Sequence, residues 1–413
     1  MPRAKNTMNR IRLATLLAVS LAAGIRGNAQ IYDANGDYAQ TFAGSGLAGY
    51  HDGVGQETKF DNPQQMVADS SGNLFVYDFV NYRIRKITPD GTVSTFAGSG
   101  YNDPFPGSAT GSVGGMAIDQ DNTIWMTALP YVLYRITSNA LVTAITVPLP
   151  RPQGVCVDSL GNVYLSDWTS NNIYRCSASG ALTLFAGSGG AGYTNGNGIF
   201  TAFNLPMAMT ADTVGNIYVW DSGNELIRKI DQSQNVTTYA GHYPFAGVSD
   251  GSSSTAGFFD INAMCFDTFG NLILACNTSV RQVTAAMNVN TLAGSFYNSG
   301  NSNGIGSVAL FDGAIGVAVA ARTIYIADAD NNVIRSITNN FTSPAIVPAS
   351  LQLGTNAGLT ITGGVNQTYQ IQSSPDLSNW TNQAIIVLTS GSSLWVDPTP
   401  TSGNKFYRTV SVP

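Results

Sequence analysis

One pattern recurs along this chain: a short apolar stretch runs into a Gly-Asn or Asp-Asn turn and leaves it through an aromatic residue. The turns are Gly72-Asn73, Asp121-Asn122, Gly161-Asn162, Gly215-Asn216 and Gly270-Asn271, and a last copy carries Ala321-Arg322 instead. Phe75, Trp125, Tyr164, Tyr218 and Tyr325 follow the turns, with Ile273 the one aliphatic stand-in. The apolar runs are short and bounded by turn formers, which favours strands over helices. A period of roughly 40 to 55 residues built from such runs is that of a propeller, one repeat to each four-stranded blade. Six copies predict an all-β protein with six blades.

The copy beginning at Pro63 runs through Asp69, the turn, Phe75 and Asp78 to Arg83, Ile84 and Arg85. The second Asp returns as Asp167, Asp221 and Asp328, the Ile six residues later as Ile173, Ile227 and Ile334, and the Arg after it as Arg228 and Arg335. Copies two and five carry Ala128 and Cys276 in place of that Asp. Over residues 31–341 these positions resemble the NHL-repeat β-propellers, whose repeat ends in Asn-x-Arg-Ile. The final copy lacks the strand that reads Thr-Phe-Ala-Gly at 95–98, but the same sequence stands upstream at 41–44. An N-terminal strand is therefore expected to complete the last blade and close the ring, hiding an edge.

Residues 1–29 place Arg3, Lys5, Arg10 and Arg12 ahead of an apolar run from Leu13 to Ala23, followed by small residues, the form of a signal peptide. The run falls short of the about 20 residues a membrane-spanning helix needs. Its removal takes five positive charges (Arg26 included) and no acidic ones, so the net charge of -6 becomes -11. A nucleic-acid partner is thereby excluded, since phosphate binding rests on clustered Lys and Arg. The reading is an exported monomer, secreted or held at the cell surface or in the periplasm, with no membrane span. Residues 342–350 read as a linker. The alternating segments of 351–413, with Trp380 and Phe406-Tyr407-Arg408, resemble the fibronectin type III-like sandwiches appended to exported bacterial proteins.

Four cysteines occur, and Cys156, Cys176 and Cys265 fall where other copies carry apolar residues such as Val67 and Ile87. They read as buried apolar residues. Cys265 and Cys276, on neighbouring strands of one hairpin, are the pair left open to a bridge.

Chemistry has two candidate seats. An aromatic and an oxygen-bearing residue stand before four inner strands, as Phe60-Asp61, Phe203-Asn204, Phe259-Asp260 and Phe311-Asp312. Asp61, Asn204, Asp260 and Asp312 could hold calcium at one mouth of the channel, or bond the backbone of their own turns. Long inter-blade loops carry Tyr50, His51, Tyr101, Tyr193, Tyr243 and Tyr297. These rings either meet a protein or glycan partner or fold back on their own blades. The Asp and Arg pairs recur from blade to blade, which marks them as structural, since a catalytic constellation is assembled once. Two histidines cannot supply a zinc centre built on several imidazoles, and no Gly-x-Ser-x-Gly elbow sits on a strand-to-helix turn. The chain reads as a non-enzymatic binding scaffold. The alternative is a calcium-dependent lactonase or lyase with its cation in the channel.

Overall fold

The computed structural model describes residues 37–100, 113–244 and 247–339, and the strands between 352 and 412. Six antiparallel blades surround a channel, each with its first strand innermost. Those first strands are Pro63–Ala68, Val113–Ile118, Pro152–Val157, Pro206–Ala211, Ala263–Phe266 and Ala314–Ala320. Each touches the first strand of the next blade, and Ala314–Ala320 in turn touches Pro63–Ala68. Where inner strands approach most closely a side chain has no room: a Cβ on Gly154 would lie 2.2 Å from the Met207 carbonyl, and one on Gly316 2.2 Å from that of Gln64.

Second strands such as Leu74–Asp78, Val163–Asp167 and Ile217–Asp221 are buried along their whole length. They read as continuous apolar runs because neighbouring blades cover both faces. Outer strands such as Val142–Thr146 meet solvent. The turn between first and second strands is fixed by its own Asp. Asp158 Oδ1 accepts from Leu160 N and Asn162 N, and Oδ2 from Asn162 Nδ2 and the Tyr164 hydroxyl. Asp212 repeats this with Asn216 and Tyr218. At Trp125, Tyr164 and Tyr218 the recurring aromatic is thus tied to the turn that precedes it.

Blade 6 consists of Ala314–Ala320, Thr323–Asp328 and Val333–Asn339 with the N-terminal strand Asp37–Ala43 paired antiparallel to Val333–Asn339. Four blades gain a fifth, two-residue strand from the loop that precedes them: Gly53–Val54, Gly196–Asn197, Gly251–Ser252 and Gly304–Ile305. These lie along otherwise open outer edges, the positions at which a sheet invites unwanted pairing.

In the C-terminal segment the described strands form two three-stranded sheets, and Trp395 of one packs against Ile371 of the other. Among the described residues no helix is long and apolar enough to cross a membrane.

All four cysteines are free. The hairpin register sets Cys265 opposite Ile273, not Cys276, so the bridge left open by spacing does not form. Burial pushes the thiols up, Cys176 to about 11 and Cys265 and Cys276 to about 12, and raises Cys156 as well. The thiolate is the reactive form. Alkylation with iodoacetamide at pH 8 is therefore expected to be slow on the folded protein and to reach four groups per chain in guanidinium; rapid labelling of the folded protein would contradict this burial.

Candidate functional site: the loop face

The long loops lie at the end of the ring where the first strands begin, and buried arginines hold them there. In blade 1 the Arg85 side chain, fully buried, donates to Asp78 Oδ2 at 2.8 Å, to the carbonyls of Lys59 and His51 at 3.0 Å, and to Asp52. Arg228 donates to Asp221 Oδ2 (2.9 Å), to the carbonyls of Ala202 and Thr194, and to Asn195 Oδ1. Arg335 repeats the set with Asp328, Leu310, Ser302 and Asn303. Each guanidinium lies over a fully buried phenylalanine, Phe60, Phe203 or Phe311, at 5.0 to 5.4 Å from the ring centre. Asn81, Asn224 and Asn331 add a second tether, each donating both to its blade's Asp and to a loop carbonyl, that of Gly49, Gly192 or Gly300.

Blade 5 departs from this scheme. Cys276 stands in the place of the Asp, and Arg281 is compensated by Asp250 of the loop with the Ser249 and Gly257 carbonyls. Blades 2 and 3 carry Tyr134 and Tyr174 in the arginine's place. The connection into blade 3, residues 147–151, is too short to form such a loop and has nothing to be clamped. The arginine is present in blades 1, 4, 5 and 6, the four whose preceding loops also add an edge strand.

Burial pushes the Asp328 carboxyl up to about 6, opposed by donation from Asp312 N, Asn331 and Arg335.

The proposed cation ligands are not brought together. Asp61 N and Asp312 N donate to the buried Asp of their own blades, and the Asn204 amide donates to the Gly223 carbonyl. Asp260 is also one residue out of register. The buried counterpart of Phe60 is Phe258, whereas Phe259 is half exposed, and Asp260, at φ 48°, takes the left-handed position of Asn62 and Leu205. Burial raises the Asp260 carboxyl, and burial followed by the Asp260 charge raises that of Glu225. Among the described residues no three His, Cys, Asp or Glu side chains are placed to hold a metal ion.

The loop residues separate into groups. Tyr50 folds back on blade 1, its hydroxyl 2.9 Å from Thr95 Oγ1 and its ring centre 4.0 Å from the Arg83 guanidinium. His51 presents an exposed imidazole while its carbonyl is held by Arg85. Tyr101 lies outside the described residues. Tyr297 is the most open, 89% exposed. Tyr193 and Tyr243, from successive loops and each about half exposed, stack with ring centres 4.1 Å apart. They flank a groove of about 620 Å³ over blade 4, lined also by Thr194, Asn195, Leu226 and Thr238. Spacing alone could not have singled out this pair, since its members lie in different loops.

No protein-family profile matches the chain, and no curated protein matches it. Among solved structures it is similar to a protein of unknown function from Bacteroides thetaiotaomicron, at 20% identity over 73% of this chain and 76% of that one, with a TM-score of 0.59. It is also similar to an auxiliary nutrient binding protein from Bacteroides ovatus (16% identity, 74% and 77% of the two chains, TM-score 0.57). A protein of the same description from Bacteroides thetaiotaomicron gives 16%, 73% and 76%, and a TM-score of 0.58. At these identities the likeness establishes a shared propeller fold.

Proposed function

We propose that the protein is an exported NHL-type propeller, closed by its N-terminal strand, that binds a protein or glycan through the loop face. The observation that carries this reading is the Tyr193 and Tyr243 stack beside a groove, on loops anchored by buried arginines. Tyrosine offers large contact area for little lost rotamer freedom. A surface anchored before the partner arrives avoids part of the ordering cost of association. The auxiliary nutrient binding proteins that share the fold are in keeping with a binding role. Residues 1–29 then act as the export signal, and residues 351–413 as a fibronectin type III-like spacer or surface-attachment module.

The test is an array of soluble glycans and exported proteins probed with residues 31–413; a saturable hit is expected, and silence across a broad array would remove the reading's support. The lactonase or lyase alternative makes a different prediction. A cation at a hundred times its dissociation constant adds about 2.7 kcal/mol. No change in Tm on adding millimolar calcium after chelation is expected; a rise of several degrees that vanished in Asp61→Ala and Asp312→Ala would reinstate the channel metal.

A further inference from the structure

At the end of the channel opposite the long loops, where the first strands turn into the second, the ring opens into a bowl of about 370 Å³. We propose that this bowl is a second binding site, for a compact uncharged molecule with an apolar body and a hydrogen-bonding oxygen at one side. Its volume lies within the range of small-ligand sites, about 300 to 1,000 Å³.

The floor is built from one register position of the repeat. Met66, Met116, Met209 and Met264 come from the first strands of blades 1, 2, 4 and 5, and all four are buried. Methionine side chains adapt to irregular ligand shapes and offer polarisable sulfur. Beneath them the space shrinks to about 20 Å³, room for one water. The apolar walls of the bowl include Val67, Val157 and Val319.

The hydroxyl-bearing residues of the lining lie on one side. Thr210, Thr213 and Thr268, from the adjacent blades 4 and 5, are these residues. Among the described residues the one charged residue in the lining is Asp267, and its oxygens already accept from Phe269 N, Asn271 N and Asn271 Nδ2, each at 2.8 Å. With its lone pairs so engaged it is a poor partner for a cation, and its charge disfavours an anion. Among the described residues neither Lys nor Arg lines the bowl. The chemistry left is dispersion against thioethers and valines, with hydroxyl contacts at one edge.

The experiment uses the neutral fluorophore N-phenyl-1-naphthylamine and the anionic 1-anilinonaphthalene-8-sulfonate on the whole chain. Saturable binding of the neutral probe, at least tenfold tighter than the anionic one, is expected. In the methionine methyl spectrum the neutral probe is expected to shift Met66, Met116, Met209 and Met264 and to leave Met126, Met207 and Met287 in place. Ala211→Trp, which fills the bowl, is expected to weaken the neutral probe at least tenfold; if that variant does not fold, the methyl spectrum of the unaltered protein decides. No saturable binding, equal affinity for the two probes, or shifts confined to Met126, Met207 and Met287 would overturn the proposal.

Discussion

Asp221→Ala lowers the stability of the propeller by about 3–5 kcal/mol, because it leaves the buried Arg228 guanidinium without its carboxylate. For a propeller of this size that corresponds to a fall in Tm of roughly 5–8 °C. The estimate rests on complete burial of both side chains, which denies Arg228 the solvent screening that makes surface pairs nearly worthless. Asp221 also accepts from Asn204 N and Asn224 Nδ2, and these donors lose their partner as well. Removing both charges in Asp221→Ala with Arg228→Met is expected to recover part of the loss, since the penalty lies chiefly in the stranded charge. A thermal melt of the two variants decides the matter. A single variant that melts with the unaltered protein would mean that the arginine is not held as described.

Deleting residues up to Gly44 has the larger effect: the remaining chain is expected to lose its cooperative melt, or to melt more than 15 °C lower, well beyond the effect of one broken buried pair. The strand it removes contributes Asp37, Ala39 and Ala43, all fully buried. That strand also fills the space between Val333–Asn339 on one side and Gly304–Ile305 on the other. Without it, blade 6 ends on the apolar strand that contains Ile334 and Ile337, now an open edge of the kind that pairs with other chains. Circular dichroism on heating, with size exclusion to detect association, reads the outcome. An unchanged Tm would refute closure by the N-terminal strand.

Much of this architecture is written in the sequence because a repeat prints its structural residues several times. The six turns, the four-strand rhythm and the upstream Thr41-Phe42-Ala43-Gly44 each identify an element of the structure. Asp52 and Phe60, Asn195 and Phe203, and Asn303 and Phe311 each stand eight residues apart, a recurrence that points to a fixed loop conformation. The structure supplies its cause, an arginine that reaches both ends of that span. At Phe258-Phe259 two adjacent aromatics compete for one buried site, and the structure buries Phe258 rather than the Phe259 that directly precedes Asp260. The two-residue edge strands are too short to leave any periodicity. The Tyr193 and Tyr243 stack joins residues from separate loops, so only the ring of blades brings it about. The methionine floor was legible in principle, since Met66, Met116, Met209 and Met264 occupy the same place in their repeats.

Binding at the tyrosine pair is the centre of this account, and the most direct measurement is titration of an array hit against three proteins of matched Tm. These are the unaltered chain, Tyr193→Ala with Tyr243→Ala, and Tyr50→Ala. An anchoring aromatic at the middle of an interface is worth about 2 kcal/mol or more, so the double variant is expected to bind at least tenfold more weakly. Tyr50, folded back beneath Arg83, is expected to leave the affinity unchanged. Equal affinity for all three proteins would contradict the assignment of the binding surface to the loops over blade 4.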